Sequence, residues 1–440
     1  MREKKIVLLI LLFSFFGLSA QKDYSLKINK KFIADQLVDY LRSESYVKLE
    51  FMFNYELKKK LSRSKLKNKL APIIEKYGGL DSVLDLHTVV RAENKFHHQG
   101  ITLGKKRFDI VFTLDSNKEV SSFRLAPYSM RPQWEIPEYA NPKLFELVPV
   151  KIGEEGKNPL LGEYTYATKQ LKKIFVVMVH GSGPNDMDES LGPNKLFKDL
   201  AYGLGSHGIS GIRYNKRTYD YPSMMQKSLN SITIDDIVTD DAVKAIKKAK
   251  SLGADQVFLL GHSLGGHLAP KIAQKEKVDG VILMAANRSP LEELIMPQVE
   301  YIMENDSNSS INELEYNALK YQIKNLKKGD YDSSSIGTLP FGLPGSFWKS
   351  MEDYQPRKIA KKQDIPYLIL NGERDYQVTP KEAKKWRDGS KHEQSKTIIY
   401  ENLNHMFYSG KGKILPAEYQ EKGHLNEKVL MDIIKWIQSI

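Results

Sequence analysis

Apolar residues follow two different rhythms along this 440-residue chain. From residue 25 to 80 they recur at helical spacing: Phe32, Leu37, Val38 and Leu41 give one amphipathic face, and Leu66, Leu70, Ile73 and Ile74 another. The Gly78-Gly79 pair closes this helical stretch. Strand patterning then takes over at 84–90, 99–103, 108–114 and 120–125. Phe108, Ile110 and Phe112 alternate with polar neighbours as on a half-buried antiparallel sheet, and Asp115-Ser116-Asn117 reads as a hairpin turn. Helices followed by a meander predict a small α+β domain over residues 22–126. Pro127, Pro132, Pro137 and Pro142 then mark an extended linker over 127–143.

From residue 144 to the C-terminus, short apolar runs alternate with helical patterns, which predicts a mostly parallel sheet of eight strands. The runs fall at 145–152, 161–168, 174–180, 209–214, 257–260, 278–285, 366–371 and 397–400. Helices are expected near 194–206, 233–251, 264–275, 380–388 and 425–438. Residues 288–360 break the rhythm, and a structureless loop of that length between adjacent strands is improbable. Helical patterning at 291–303 and 311–326 predicts a cap insertion above the sheet. Its Phe341, Phe347 and Trp348 suit either the lining of a substrate pocket or the cap's own packing.

Composition changes this picture in three places. Arg2, Lys4 and Lys5 precede an apolar run from Ile6 to Leu18 that exits through Ser19-Ala20. That is the pattern of a secretory signal over residues 1–20, too short for a bilayer span of about 20 residues, with an uncleaved N-terminal anchor as the alternative. The chain is therefore expected to be exported, periplasmic or secreted, with no integral membrane segment after signal removal. No cysteine is present, which excludes disulfides, thiolate metal sites and a lipidated cysteine. The net charge of +12 is uneven: residues 1–125 hold 24 Lys and Arg against 14 Asp and Glu, whereas 126–440 hold 42 against 40. The densest basic run, Lys58 to Lys69, carries Leu61 and Leu66 at helical spacing and lacks interleaved aromatics. It reads as a solvated helix face, and nucleic acid is not an expected partner.

The chemistry concentrates after the run Gln256-Val257-Phe258-Leu259-Leu260, at Gly261-His262-Ser263-Leu264-Gly265-Gly266. A buried strand, a sharp turn carrying a serine and a helix with apolar Leu268, Ala269, Ile272 and Ala273 together resemble the nucleophile elbow of α/β-hydrolases. G-x-S-x-G alone is a common pattern; the strand and helix around it give it weight. A serine hydroxyl is a poor nucleophile until a base, itself held by a carboxylate, removes its proton. In that fold the acid and then the base follow the serine. Asp375 stands on the loop after the strand ending at Asn371, with Glu373 as the alternative acid. His405 stands after the last strand, the best placed of ten histidines. Upstream, the run Ile174 to Val179 leads into His180-Gly181-Ser182-Gly183-Pro184, so the backbone N–H groups of Ser182 and Leu264 are the expected oxyanion donors.

On these motifs, with Asn185-Asp186 and Leu343-Pro344-Gly345-Ser346-Phe347-Trp348, residues 140–440 resemble bacterial α/β-hydrolase serine carboxylesterases. The resemblance implies cleavage of short-chain acyl or acetyl esters, on small-molecule or saccharide-linked substrates, without a cofactor. The N-terminal region resembles, by element order, the small cone-shaped domains like nuclear transport factor 2 that precede some bacterial hydrolases. Two other readings stay open: a prolyl-type serine peptidase, which shares the fold and elbow, and a non-catalytic binding protein on a hydrolase scaffold. Metal dependence has little support, since His97-His98 is adjacent and not helix-spaced. Oligomeric state has no signature in the sequence.

Overall fold

The structure is a computed structural model. It describes residues 27–91, 94–128, 134–170, 172–307, 309, 311–329, 331, 336–387 and 390–440. The signal read at residues 1–20 and positions 129–133 of the linker lie outside the described residues. The chain forms two compact units that meet in sequence between Arg131 and Pro132.

The N-terminal unit places helices α1 (Lys27–Arg42), α2 (Tyr46–Phe51), α3 (Tyr55–Lys60) and α4 (Arg63–Tyr77) before four strands. These strands, β1 (Leu80–Arg91), β2 (Asn94–Leu103), β3 (Lys106–Leu114) and β4 (Val120–Pro127), form an antiparallel meander in sequence order. The buried face of α1 is Ile33, Ala34, Leu37, Val38 and Leu41, while Phe32 is 60% exposed. At 100° per residue Phe32 lies well off the stripe that Leu37 and Leu41 define, so Ile33 takes its place. Leu66, Leu70 and Ile74 of α4 pack with Ile101, Leu103, Ile110 and Phe112 in the same core. The turn between β3 and β4 is held by Asp115, whose Oδ1 accepts from the N–H groups of Asn117 and Glu119 at 2.9 and 3.0 Å.

The second unit is built on eight strands: β5 (Phe145–Ile152), β6 (Leu160–Ala167), β7 (Ile174–Val179), β8 (Ser210–Tyr214), β9 (Gln256–His262), β10 (Gly280–Met284), β11 (Tyr367–Gly372) and β12 (Lys396–Tyr400). Their spatial order is β12-β11-β10-β9-β7-β8-β6-β5. Every neighbouring pair from β12 to β8 is parallel, and β6 runs antiparallel to both β8 and β5. The central strands are apolar on both faces because helices cover both. Phe175, Val177, Val257 and Leu259 face the side of α6 (Asp240–Ser251) and α7 (Leu264–Lys275). Val176, Met178, Phe258 and Leu260 face the side of α5 (Leu196–Ser206) and α10 (Glu427–Gln438). This is the α/β-hydrolase fold that the motifs implied.

The insertion between β10 and β11 is helical, with α8 (Leu291–Asn305) and α9 (Glu313–Leu326) followed by short turns of helix. Asn312 starts α9 through a capping box: its Oδ1 accepts from Glu315 N–H, and the Glu315 carboxylate accepts from Asn312 N–H. In the segment read as an extended linker, Trp134 is anchored: its indole N–H donates to Asp199 at 2.7 Å and its ring meets Tyr202 edge-on.

Candidate active site

Ser263 sits between β9 and α7 with φ +52° and ψ −119°, a conformation that L-residues other than glycine rarely adopt. Its neighbours explain why the strain persists. A Cβ on Gly265 would collide with the Val179 carbonyl and stand 2.6 Å from that of His180, and a Cβ on Gly261 would run into Gly265 itself. The Ser263 N–H donates to the Met284 carbonyl at 2.9 Å, tying the turn to β10. Backbone packing therefore holds the serine at the carboxyl edge of the sheet, where open α/β sheets place ligands.

Asp375 and His405 come from the loops after β11 and β12, the two strands beyond β10. The Asp375 carboxylate is buried; Oδ1 accepts from the N–H groups of Gln377 and Val378 at 2.9 Å each, and Oδ2 lies 2.7 Å from His405 Nδ1. That contact gives Nδ1 the proton and leaves Nε2 as the acceptor. The alternative acid, Glu373, is exposed. Asn404 builds the His405 turn, its Oδ1 accepting from Met406 and Tyr408 N–H at 3.0 and 3.1 Å.

Ser263, His405, Ser182 and Leu264 line one cavity of about 260 Å³. Its floor is the elbow and the Gly181–Asn185 loop; its wall is α8, through Leu291, Leu294, Ile295 and Gln298, with Val378 and Met406 opposite. Phe341, Phe347 and Trp348 do not line it, which corrects the expected pocket. Phe347 and Trp348 are 0% and 3% exposed and pack edge-on against each other within the core beneath the cap. Their short helix turns inward because Ser346 bonds the Ile232 carbonyl at 2.8 Å, and α8 takes the place above the serine.

Glu189 and His262 also line the cavity, in an arrangement of titratable groups that the motifs did not foretell. His262 Nε2–H donates to the His405 carbonyl at 3.0 Å, while its Nδ1 is 3.1 Å from Glu189 Oε1. Burial pulls the His262 imidazole down, but the Glu189 charge outweighs it and holds the ring above its ordinary pKa. Burial pushes Glu189 up in turn, yet His262 keeps the carboxyl below its usual range. His180, by contrast, is pulled down to about 4 by burial and stays neutral. Lys216, also buried, donates to the Gly181 carbonyl at 2.7 Å. Among the described residues no group of three or more His, Cys, Asp or Glu is arranged to hold a metal ion, and no helix is long and apolar enough to cross a membrane.

The chain is similar to known proteins along much of its length. Residues 195–411 match the family described as serine aminopeptidase, S33. Esterase EstD of Thermotoga maritima is 32% identical over 402 residues, covering 91% of this chain and 93% of that protein. That span exceeds the second unit, so the likeness extends into the N-terminal one. Among solved structures, Est1E from Butyrivibrio proteoclasticus gives a TM-score of 0.38 at 12% identity, over 66% of this chain and 99% of that one. A Pyrococcus furiosus esterase gives 0.41 at 14% identity, over 63% and 91%. With the relationship to EstD running through nearly the whole length of both proteins, the chain belongs to the α/β-hydrolase family, as one of its carboxylic ester hydrolases.

Proposed function

We propose that this protein is an exported serine esterase that hydrolyses small esters through Ser263, His405 and Asp375. The observation that carries the reading is the 2.7 Å contact between Asp375 and His405 Nδ1, in a cavity that His405 shares with a strained Ser263. His405 Nε2 takes the hydroxyl proton as Ser263 Oγ bonds the ester carbonyl carbon. The oxygen that gains charge is met by the N–H groups of Ser182 and Leu264. The tetrahedral intermediate collapses, the C–O bond to the alcohol breaks, and the alcohol leaves with the proton from His405. Water then attacks the acyl-serine, giving its proton to the same nitrogen, and the carboxylic acid departs as Ser263 is restored. Asp375 holds the imidazole in the required tautomer throughout.

The small cavity with leucine and isoleucine on one wall favours short acyl groups, acetyl esters of sugars included; Asn185, Gln298 and Gln377 offer polar contacts to an alcohol moiety. Export rests on the basic start and short apolar run of the first twenty residues. A peptidase reading is favoured by the description of the matching family, and the test separates the two. Nitrophenyl esters of graded chain length, acetylated sugars and aminoacyl anilides are offered to the same preparation. The expected result is turnover of acetyl to butyryl esters, with a sharp decline beyond, and no cleavage of anilides. Efficient anilide cleavage would replace the esterase reading by the peptidase one.

A further inference from the structure

Gly181 is held through both of its peptides, the one that precedes it and the one that joins it to Ser182. Gly181 N–H donates to Glu189 Oε1 at 2.7 Å, and the Gly181 carbonyl accepts from Lys216 Nζ at 2.7 Å and from Asn185 Nδ2 at 3.3 Å. The position is crowded against the nucleophile: a Cβ on Gly181 would stand 3.0 Å from Ser263 Cβ and 3.1 Å from Glu189 Oε1. The Gly181 carbonyl and the Ser182 N–H belong to one planar, trans peptide, so they point in opposite directions. Whatever holds the carbonyl away from the cavity aims the N–H into it. A buried ammonium on that carbonyl also withdraws electron density along the amide, which strengthens the N–H as a donor.

We propose that Lys216 is a positioning residue for ester hydrolysis: through the Gly181 carbonyl it aims and polarises the Ser182 N–H at the oxyanion, with Glu189 as its buried counter-charge. The inference rests on the reading of Ser263 as nucleophile and Ser182 as oxyanion donor. Lys216 and Glu189 are 3% and 6% exposed, so neither is a solvated surface charge, and the serine, base and acid do not use either directly. The geometry also explains why Glu189 keeps a second partner. By holding His262, whose Nε2–H bonds the His405 carbonyl, it ties the oxyanion loop, the elbow and the base loop together.

The charge on Lys216 supplies a readout that packing alone lacks. Burial lowers its pKa to about 8, with Glu189 opposing the fall. His180, Tyr214, Arg217 and Asp241 line the same small cavity as Lys216, and Tyr219 and Asp220 follow it in the chain, their N–H groups donating to its carbonyl. As pH rises through that value the amine loses its charge; it can still donate, but the polarisation of the peptide is lost.

The test uses the full chain and a fluorophosphonate: serine attack at phosphorus passes through a five-coordinate species with charge gathered on the phosphoryl oxygen, and the P–F bond breaks to release fluoride and leave a phosphonyl-serine. In Lys216→Met, kcat and the labelling rate are expected to fall together, ten- to a hundredfold, with KM for a short nitrophenyl ester within twofold of wild type. In the wild type the labelling rate is expected to decline above about pH 8, and this limb is expected to be missing from Lys216→Met. A folded Lys216→Met enzyme with unchanged kcat and labelling would overturn the inference. If that variant fails to fold, a wild-type labelling rate that stays flat or rises from pH 7 to 10 overturns it, and a decline centred near 8 sustains it. Wild-type protein that does not label at all contradicts the nucleophile reading instead, so the two failures are distinguishable.

Discussion

The floor and the wall of the cavity are built on different principles. The floor is backbone: Gly181, Gly261 and Gly265 lie so close to neighbouring main chain or side-chain atoms that the smallest side chain meets an obstacle. The wall is side chains: Leu291, Leu294, Ile295 and Gln298 project from α8, a helix in the insertion between β10 and β11. Main-chain geometry has almost no slack, because carbonyl oxygens and peptide planes cannot move aside as a leucine tip can. On the proposed reading the floor specifies the reaction and the wall tunes what enters it.

This contrast orders the expected effects. Asp375→Asn keeps the volume of the acid but removes the charge that fixes the His405 tautomer. We expect kcat to fall about 10⁴-fold with KM little changed, measured on a short nitrophenyl ester. Gly265→Ala tests the floor's lack of slack: a methyl driven into the Val179 and His180 carbonyls should cost more than about 4 kcal/mol, enough to remove soluble, folded protein or to lower the melting temperature steeply. An active Gly265→Ala enzyme of ordinary stability would erase the distinction between floor and wall. Leu294→Ala tests the wall, where we expect the folded enzyme to survive and its preference to move toward longer acyl chains by about tenfold, since a few methylenes change binding by about 1–3 kcal/mol. A Leu294→Ala enzyme with unaltered chain-length preference would show that α8 does not set specificity.

The same contrast governs what could be read before any coordinates. The floor was legible because its constraints are local in sequence. An apolar run, glycines four residues apart around a serine, and a helical pattern behind them permit one arrangement of strand, turn and helix. The pairing of Asp375 with His405 was legible because each follows a strand whose apolar run ends in a polar loop. The wall was not. Phe347 and Trp348 are large and apolar, and size alone does not say whether an aromatic lines a cavity or fills the core under it; Ser346 decides by turning its helix toward the Ile232 carbonyl. Glu189, Lys216 and His262 were hidden for a related reason. Acids and lysines usually signal exposed positions, and here the chain after three separate strands converges, Glu189 and Lys216 on Gly181 and His262 on the His405 carbonyl. In the N-terminal unit the element types followed from periodicity, while the exposed Phe32 shows the limit of assigning a helix face from hydrophobicity without its angle.

The account stands on Ser263 being the atom that bonds the substrate. Incubation of the full-length protein with a fluorophosphonate, followed by intact mass and peptide mapping, tests this directly. One adduct per chain is expected on the peptide that carries Ser263, with esterase activity lost in proportion to labelling, and neither adduct nor turnover in Ser263→Ala. An adduct on another residue, or a Ser263→Ala protein that still hydrolyses esters at the wild-type rate, would contradict it.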